Sequence, residues 1–104
     1  MKIEIVFLKQ VKDFIHDLDK SERADVYAII SLLSMNGHTL SMPEAKAIGK
    51  GLWELRVNSK SAIRVLYGFC DKQVILLQAF KKQQPAIRNH DFELARKRFK
   101  EYCQ

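Results

Sequence analysis

AIRVLYGFCDKQVILLQAFKK, residues 62–82, consists of two apolar runs split by one polar pair, Asp71-Lys72. Runs of this length, rich in β-branched and aromatic residues and divided by a two-residue turn, read as a β-hairpin. A third run, LWELRV at 52–57, precedes them across Asn58 to Ser61. Gaps this short join only antiparallel neighbours, because a parallel connection needs about a dozen residues or more. Residues 52–82 are therefore expected to form a three-stranded antiparallel meander.

Toward the N-terminus, Ile3, Ile5 and Phe7 alternate with Lys2, Glu4 and Val6, the period of a half-buried strand that can join the meander as a fourth. Val11, Phe14, Ile15 and Leu18 then recur at helical spacing. The stretch Asp19 to Glu22 fits a capping box with Asp19 as the cap, after which Val26, Ile29, Ile30 and Leu33 restart the period until Asn36-Gly37 ends it. Two amphipathic helices should form a hairpin. Residues 38–51, HTLSMPEAKAIGKG, hold a proline, two glycines and no clear period, and are expected to be a loop with room for a short strand or turn. From Asn89, Phe92, Ala95, Phe99 and Tyr102 share one side of a third helix, whose Lys/Arg run at 96–100 is a solvated face. The expected fold is a single α+β domain over residues 1–104. It has a small antiparallel sheet in the order β-α-α-β-β-β-α, a helix hairpin on one face and a C-terminal helix.

No apolar run approaches the roughly 18 residues needed to cross a bilayer, and MKIEIVFLKQ alternates instead of forming a signal peptide's continuous apolar stretch. A soluble, cytoplasmic protein without a membrane partner is expected. Cys70 and Cys103 lack CxxC spacing and histidine neighbours at ligand offsets. No metal or other cofactor is expected, and both thiols should be reduced. His16 and His38 read as surface residues, and His90 as the start of the last helix.

Charge is unevenly placed. Residues 1–50 carry seven Lys/Arg and seven Asp/Glu, whereas 51–104 carry eleven against five, which accounts for the whole formal charge of +6. A positive surface confined to part of a small domain is the footprint of a polyanionic partner. Strand parity sharpens this. Trp53, Leu55, Val57, Ile63, Val65, Tyr67 and Phe69 make an apolar face, leaving Glu54, Arg56 and Arg64 on the opposite one, which is expected to be open. Lys81 and Lys82 are consecutive, so one of them reaches that face in either register. No acid lies within eight residues of this lysine pair on either side. Glu54 can pair across strands with Arg64, as charges on a solvent face often do, but three or four cations against one acid leave repulsion that a bound anion would relieve.

The order of elements, together with GLWELRV, RVLYGF, VILLQAFKKQQ and ELARKR, resembles the RelE/ParE superfamily of bacterial toxins, most closely its HigB-like, phage-associated branch. The likeness spans nearly the whole chain, and ELR, R-x-x-Y and F-K-K at their separations are its most specific part. It implies the toxin of a type II toxin–antitoxin pair, bacterial or phage- or prophage-encoded: a metal-independent, ribosome-dependent mRNA endoribonuclease. By the resemblance, Arg56, Arg64, Lys81 and Lys82 would be the catalytic cations, and Lys50 and Arg88 would contact RNA. The partners would be mRNA on the ribosome and a cognate antitoxin, a small helix-turn-helix protein. Tyr67 matches the family's tyrosine, but its parity makes it a packing residue. The alternatives are a ParE-like toxin that inhibits DNA gyrase by binding, or a non-catalytic nucleic-acid-binding relative.

Overall fold

The computed structural model of the chain describes residues 2–104. Its elements run β1 (Glu4–Phe7), α1 (Lys9–His16), α2 (Lys20–Asn36), β2 (Ala45–Gly49), β3 (Leu52–Asn58), β4 (Ala62–Cys70), β5 (Gln73–Lys81) and α3 (Asn89–Tyr102). The helix hairpin forms for the reasons legible in its sequence. The Asp19 carboxylate accepts the backbone N–H of Glu22 at 2.8 Å, satisfying one of the four orphan donors of α2, and Gly37 ends that helix at φ 52°. Among the described residues no helix is long and apolar enough to cross a membrane.

The five strands are ordered β1-β5-β4-β3-β2. The meander is antiparallel throughout, as its short turns require. Two strands extend it. β2 forms inside the stretch expected to be a loop and pairs with β3, with a register shift between Ala47 and Gly49. A five-residue strand interrupted by a bulge carries too little periodicity to stand out. β1 joins the far edge beside β5 and runs parallel to it, with Glu4 opposite Gln73. A strand docked from a distant part of the chain has no hairpin to fix its direction.

Two cores sandwich the sheet. On one face Val11, Ile15, Val26 and Leu33 of the helix hairpin pack on Leu55, Val57, Ile63, Val65 and Tyr67, which belong to the apolar set that parity predicts, and on Leu76 of β5. The other face was expected to be open and is not. α3 lies across β4 and β5, burying Leu66, Ile75, Leu77 and Phe80 beneath Phe92, Ala95 and Phe99. An apolar helix stripe needs a surface, and this was the face left. Gly68 makes the approach possible: a Cβ there would sit 2.6 Å from the Phe99 ring. A bulge in β5, where Leu66 pairs with Gln78 but Tyr67 with Leu76, turns both Leu77 and Gln78 toward α3. Gln78 donates to Asp91 Oδ1 at 2.8 Å and accepts from Arg98 Nη1, which also donates to the Leu77 carbonyl at 3.0 Å.

The expectation of reduced thiols is also corrected. Cys70 at the end of β4 and Cys103 after α3 form a disulfide, with Cα atoms 5.8 Å apart, inside the bridging range. Spacing rules missed the pair because only the docking of α3 brings its end over β4.

Candidate functional site

The register sets Arg56 of β3 directly opposite Arg64 of β4. Two like charges at this separation repel, and the next same-face residue on β3 answers them. Glu54 is only 2% exposed; its Oε1 lies 3.2 Å from Arg56 Nε and its Oε2 3.7 Å from Arg64 Nε. One buried carboxylate thus holds two guanidiniums, one oxygen to each. The side chain of Arg64 is 15% exposed and that of Arg56 30%. Burial pulls the pKa of Arg64 below the usual arginine range, Glu54 opposes the shift, and Arg56 adds to it. Arg64 Nη1 donates to the Ile63 carbonyl at 3.0 Å, while its buried Nε has no hydrogen-bond partner, since the contact with Glu54 is one of charge alone. The pair is therefore a partly desolvated, incompletely satisfied cation site.

Lys82 follows β5, its N–H donating to the Ala62 carbonyl at 2.6 Å. Because Arg64 pairs with Phe80, Lys82 lies one residue pair further along the same face, while Lys81, opposite Ile63, points to the helix hairpin. There its Nζ is 3.7 Å from the buried Glu22. The structure therefore brings Arg56, Arg64 and Lys82 to one face and sends Lys81 to the other. Arg88, just before α3, donates to Asp91 Oδ2 at 3.1 Å and shares a small depression with Phe80, Lys82 and Gln84. Lys50 lies in the β2–β3 turn at φ 57°, beyond the start of β3 and six residues from Arg56. A groove of about 610 Å³ opens between α2 and β3, lined by Ile29, Leu32, Pro43, Val57, Asp25, Glu44 and the two arginines.

Sequence reasoning weighed Glu54 only as one surface pairing partner; its burial under two arginines depends on α3 and β2 being in place. Lys46, opposite Glu54 on β2, was not considered, because β2 was not assigned. Tyr67 is a packing residue: fully buried against Trp53 and Phe69, its hydroxyl has no partner, and burial raises its pKa well above the usual phenol value. His38 stacks on Phe69 with ring centroids 3.6 Å apart, and His90 opens α3. Among the described residues no three His, Cys, Asp or Glu side chains group as a metal site.

The five-stranded, mostly antiparallel sheet between a helix hairpin and a C-terminal helix is a fold shared with the solved toxins RelE and YoeB. The chain belongs to the family described as Phage derived protein Gp49-like (DUF891), whose signature matches residues 13–100. Its structure is similar to that of a mutant of the Escherichia coli toxin RelE in the free state, with a TM-score of 0.71 at 14% identity, covering 94% of this chain and 98% of that one. It is also similar to the toxin–antitoxin complex RelBE2 of Mycobacterium tuberculosis (TM-score 0.61, 18% identity, 79% of this chain and 100% of that one). The YoeB dimer of Staphylococcus aureus is a third (TM-score 0.61, 16% identity, 81% and 100%). No curated protein matches the sequence.

Proposed function

We propose that the chain is the toxin of a type II toxin–antitoxin pair and a metal-independent, ribosome-dependent mRNA endoribonuclease that inhibits translation. The observation that carries this reading is the arginine pair on the sheet, two guanidiniums spaced by one buried carboxylate with Lys82 beyond them. Family and fold support the toxin class.

RNA can be cut by its own 2′-hydroxyl. The 2′-oxygen loses its proton and bonds to phosphorus, the bond from phosphorus to the 5′-oxygen breaks, and that oxygen takes a proton, leaving a cyclic phosphate and a free 5′-hydroxyl. The phosphorane on this path carries added negative charge, and preorganised donors lower its energy. In the proposed site Arg56 and Arg64 stabilise that charge, and Glu54 holds their orientation without a water shell to rearrange. Lys82, on the same face, moves the proton or stabilises the leaving oxygen. Lys81 is held by Glu22 on the other face, so this role falls to Lys82. Arg88, beside it, and Lys50, at the far end of β3, are proposed to hold neighbouring phosphates. The antitoxin is proposed to be a small helix-turn-helix protein with an acidic segment over the 51–82 surface, where it would meet the basic half of the chain.

Induced expression followed by mapping of mRNA 5′ ends tests the reading. New ends within translated codons, suppressed by the neighbouring gene product, are the expected result. Growth arrest with a DNA-damage response and intact mRNA would move the chain to the gyrase-binding class, and no arrest would leave a non-catalytic binder.

A further inference from the structure

Cys70 and Cys103 are the chain's two cysteines, and both are taken up in one bond across a sequence separation of 33 residues. The bond fastens the C-terminal end of α3 to the end of β4. Little else charged or polar holds that end: among the described residues the hydrogen bonds from α3 side chains to the sheet are those of Asp91 and Arg98 with Gln78 and of Arg98 with the Leu77 carbonyl. The start of α3 has no side-chain cap. Two residues before Cys70, Gly68 lets the Phe99 ring rest on the β4 backbone. The two cysteines are unequal, since Cys70 is 9% exposed whereas Cys103 is half-buried. An incoming thiolate therefore has its way in at Cys103.

We propose that Cys70 and Cys103 form a reversible thiol–disulfide modification site, which fastens α3 when oxidised and frees its C-terminal end when reduced. The reductant is a dithiol protein of the CxxC type. Its thiolate attacks Cys103 Sγ, the Cys70–Cys103 bond breaks, and Cys70 leaves as a thiolate that takes a proton. The reductant's second thiol then displaces Cys103, so two electrons and two protons pass to the pair and the reductant becomes a disulfide. In the reverse direction a small-molecule disulfide accepts both electrons and protons and leaves as two thiols. In reducing compartments, the disulfides that form are usually transient and redox-responsive.

The consequence for cleavage rests on the nuclease reading; the modification site does not. Arg98, five residues before Cys103, donates to Gln78, Gln78 donates to Asp91, and Asp91 holds Arg88 beside Lys82. Loosening the end of α3 slackens this chain of contacts, so the oxidised form is the faster enzyme.

The test uses the whole chain, equilibrated in glutathione buffers from fully reducing to fully oxidising, with free thiols trapped by maleimide and counted by mass. Two thiols in the reducing limit, none in the oxidising limit and a midpoint between them are expected. Reduction should speed hydrogen exchange of the 96–102 amides by about tenfold or more while β4 and β5 stay protected. It should also lower Tm by about 10 °C or more, as opening a long cross-linked loop does. Cys103→Ser should match the reduced protein in both limits; should it fail to fold, the wild-type reduction series stands alone. Thiols free in the oxidising limit, a bond surviving the reducing limit, or unchanged exchange in α3 would each overturn the site. Equal cleavage in both states overturns the coupling. Cleavage in neither state overturns the nuclease reading and leaves the modification site standing.

Discussion

Arg56, Arg64 and Lys82 share a face but not an environment. Arg56→Ala, Arg64→Ala and Lys82→Ala should each cost roughly 2–4 kcal/mol of barrier, a loss on the order of a hundredfold or more in cleavage rate on programmed ribosomes. Their melts should differ. Lys82 makes no ion pair among the described residues, so its removal should shift stability by no more than about 0.5 kcal/mol. Arg64→Ala strips one oxygen of the buried Glu54 of its partner and should cost about 1–3 kcal/mol. Wild-type cleavage by all three variants would remove the site. Lys82→Arg separates charge from proton transfer: full rescue means charge alone, no rescue means a movable proton or strict geometry. Tyr67 offers a different check. Its burial keeps the phenol protonated in the folded state, so the raised folded pKa supplies stability below the ordinary phenol value of about 10 that is lost as pH rises above it. Tyr67→Phe removes both that dependence and an unpaired buried hydroxyl. It should melt no lower than wild type at neutral pH and should flatten the alkaline fall in Tm.

Among elements, α3 decides how far the sequence could be read. The meander and the helix pair were legible because each is specified locally, by alternation, by two-residue turns, by Asp19 as a cap and by Gly37 as a stop. The facing of Arg56 and Arg64 followed from parity alone. The position of α3 has no local signal: its stripe of Phe92, Ala95 and Phe99 states that it packs, not where. The face taken as open, the thiols taken as reduced and the carboxylate taken as exposed follow from that gap or from the weakness of β2, whereas the parallel direction of β1 was missed because no hairpin fixes it. Gly68 is the local mark of the docking. Gly68→Ala forces the Phe99 ring aside and should cost about 1–3 kcal/mol in a thermal or denaturant melt. Combined with Phe99→Leu it should cost less than the sum of the two single changes, because the smaller side chain clears the added methyl. Strict additivity would mean that the ring does not rest on Gly68.

For the whole molecule, the formal charge of +6 arises in residues 51–104, where RNA and antitoxin are both proposed to bind. Binding of a short single-stranded RNA should weaken with salt, and Lys50→Ala or Arg88→Ala should each flatten the log–log salt slope by about 0.7 without changing which sequences bind. Unchanged slopes would place both residues off the RNA path. The edge strand carries a consequence of another kind. β1 pairs with β5 across 69 residues, Glu4 with Gln73, whereas the hairpins of the meander close loops of a few residues. Closing so long a loop costs chain entropy that the hairpins do not incur, so the meander should nucleate folding and β1 should join after the rate-limiting step. Ile5→Ala should then speed unfolding and leave the refolding rate nearly unchanged, whereas Val65→Ala in the meander should slow refolding. During synthesis β1, made before its partner, would wait unpaired until residues 73–76 had emerged, so a strand made early is placed late.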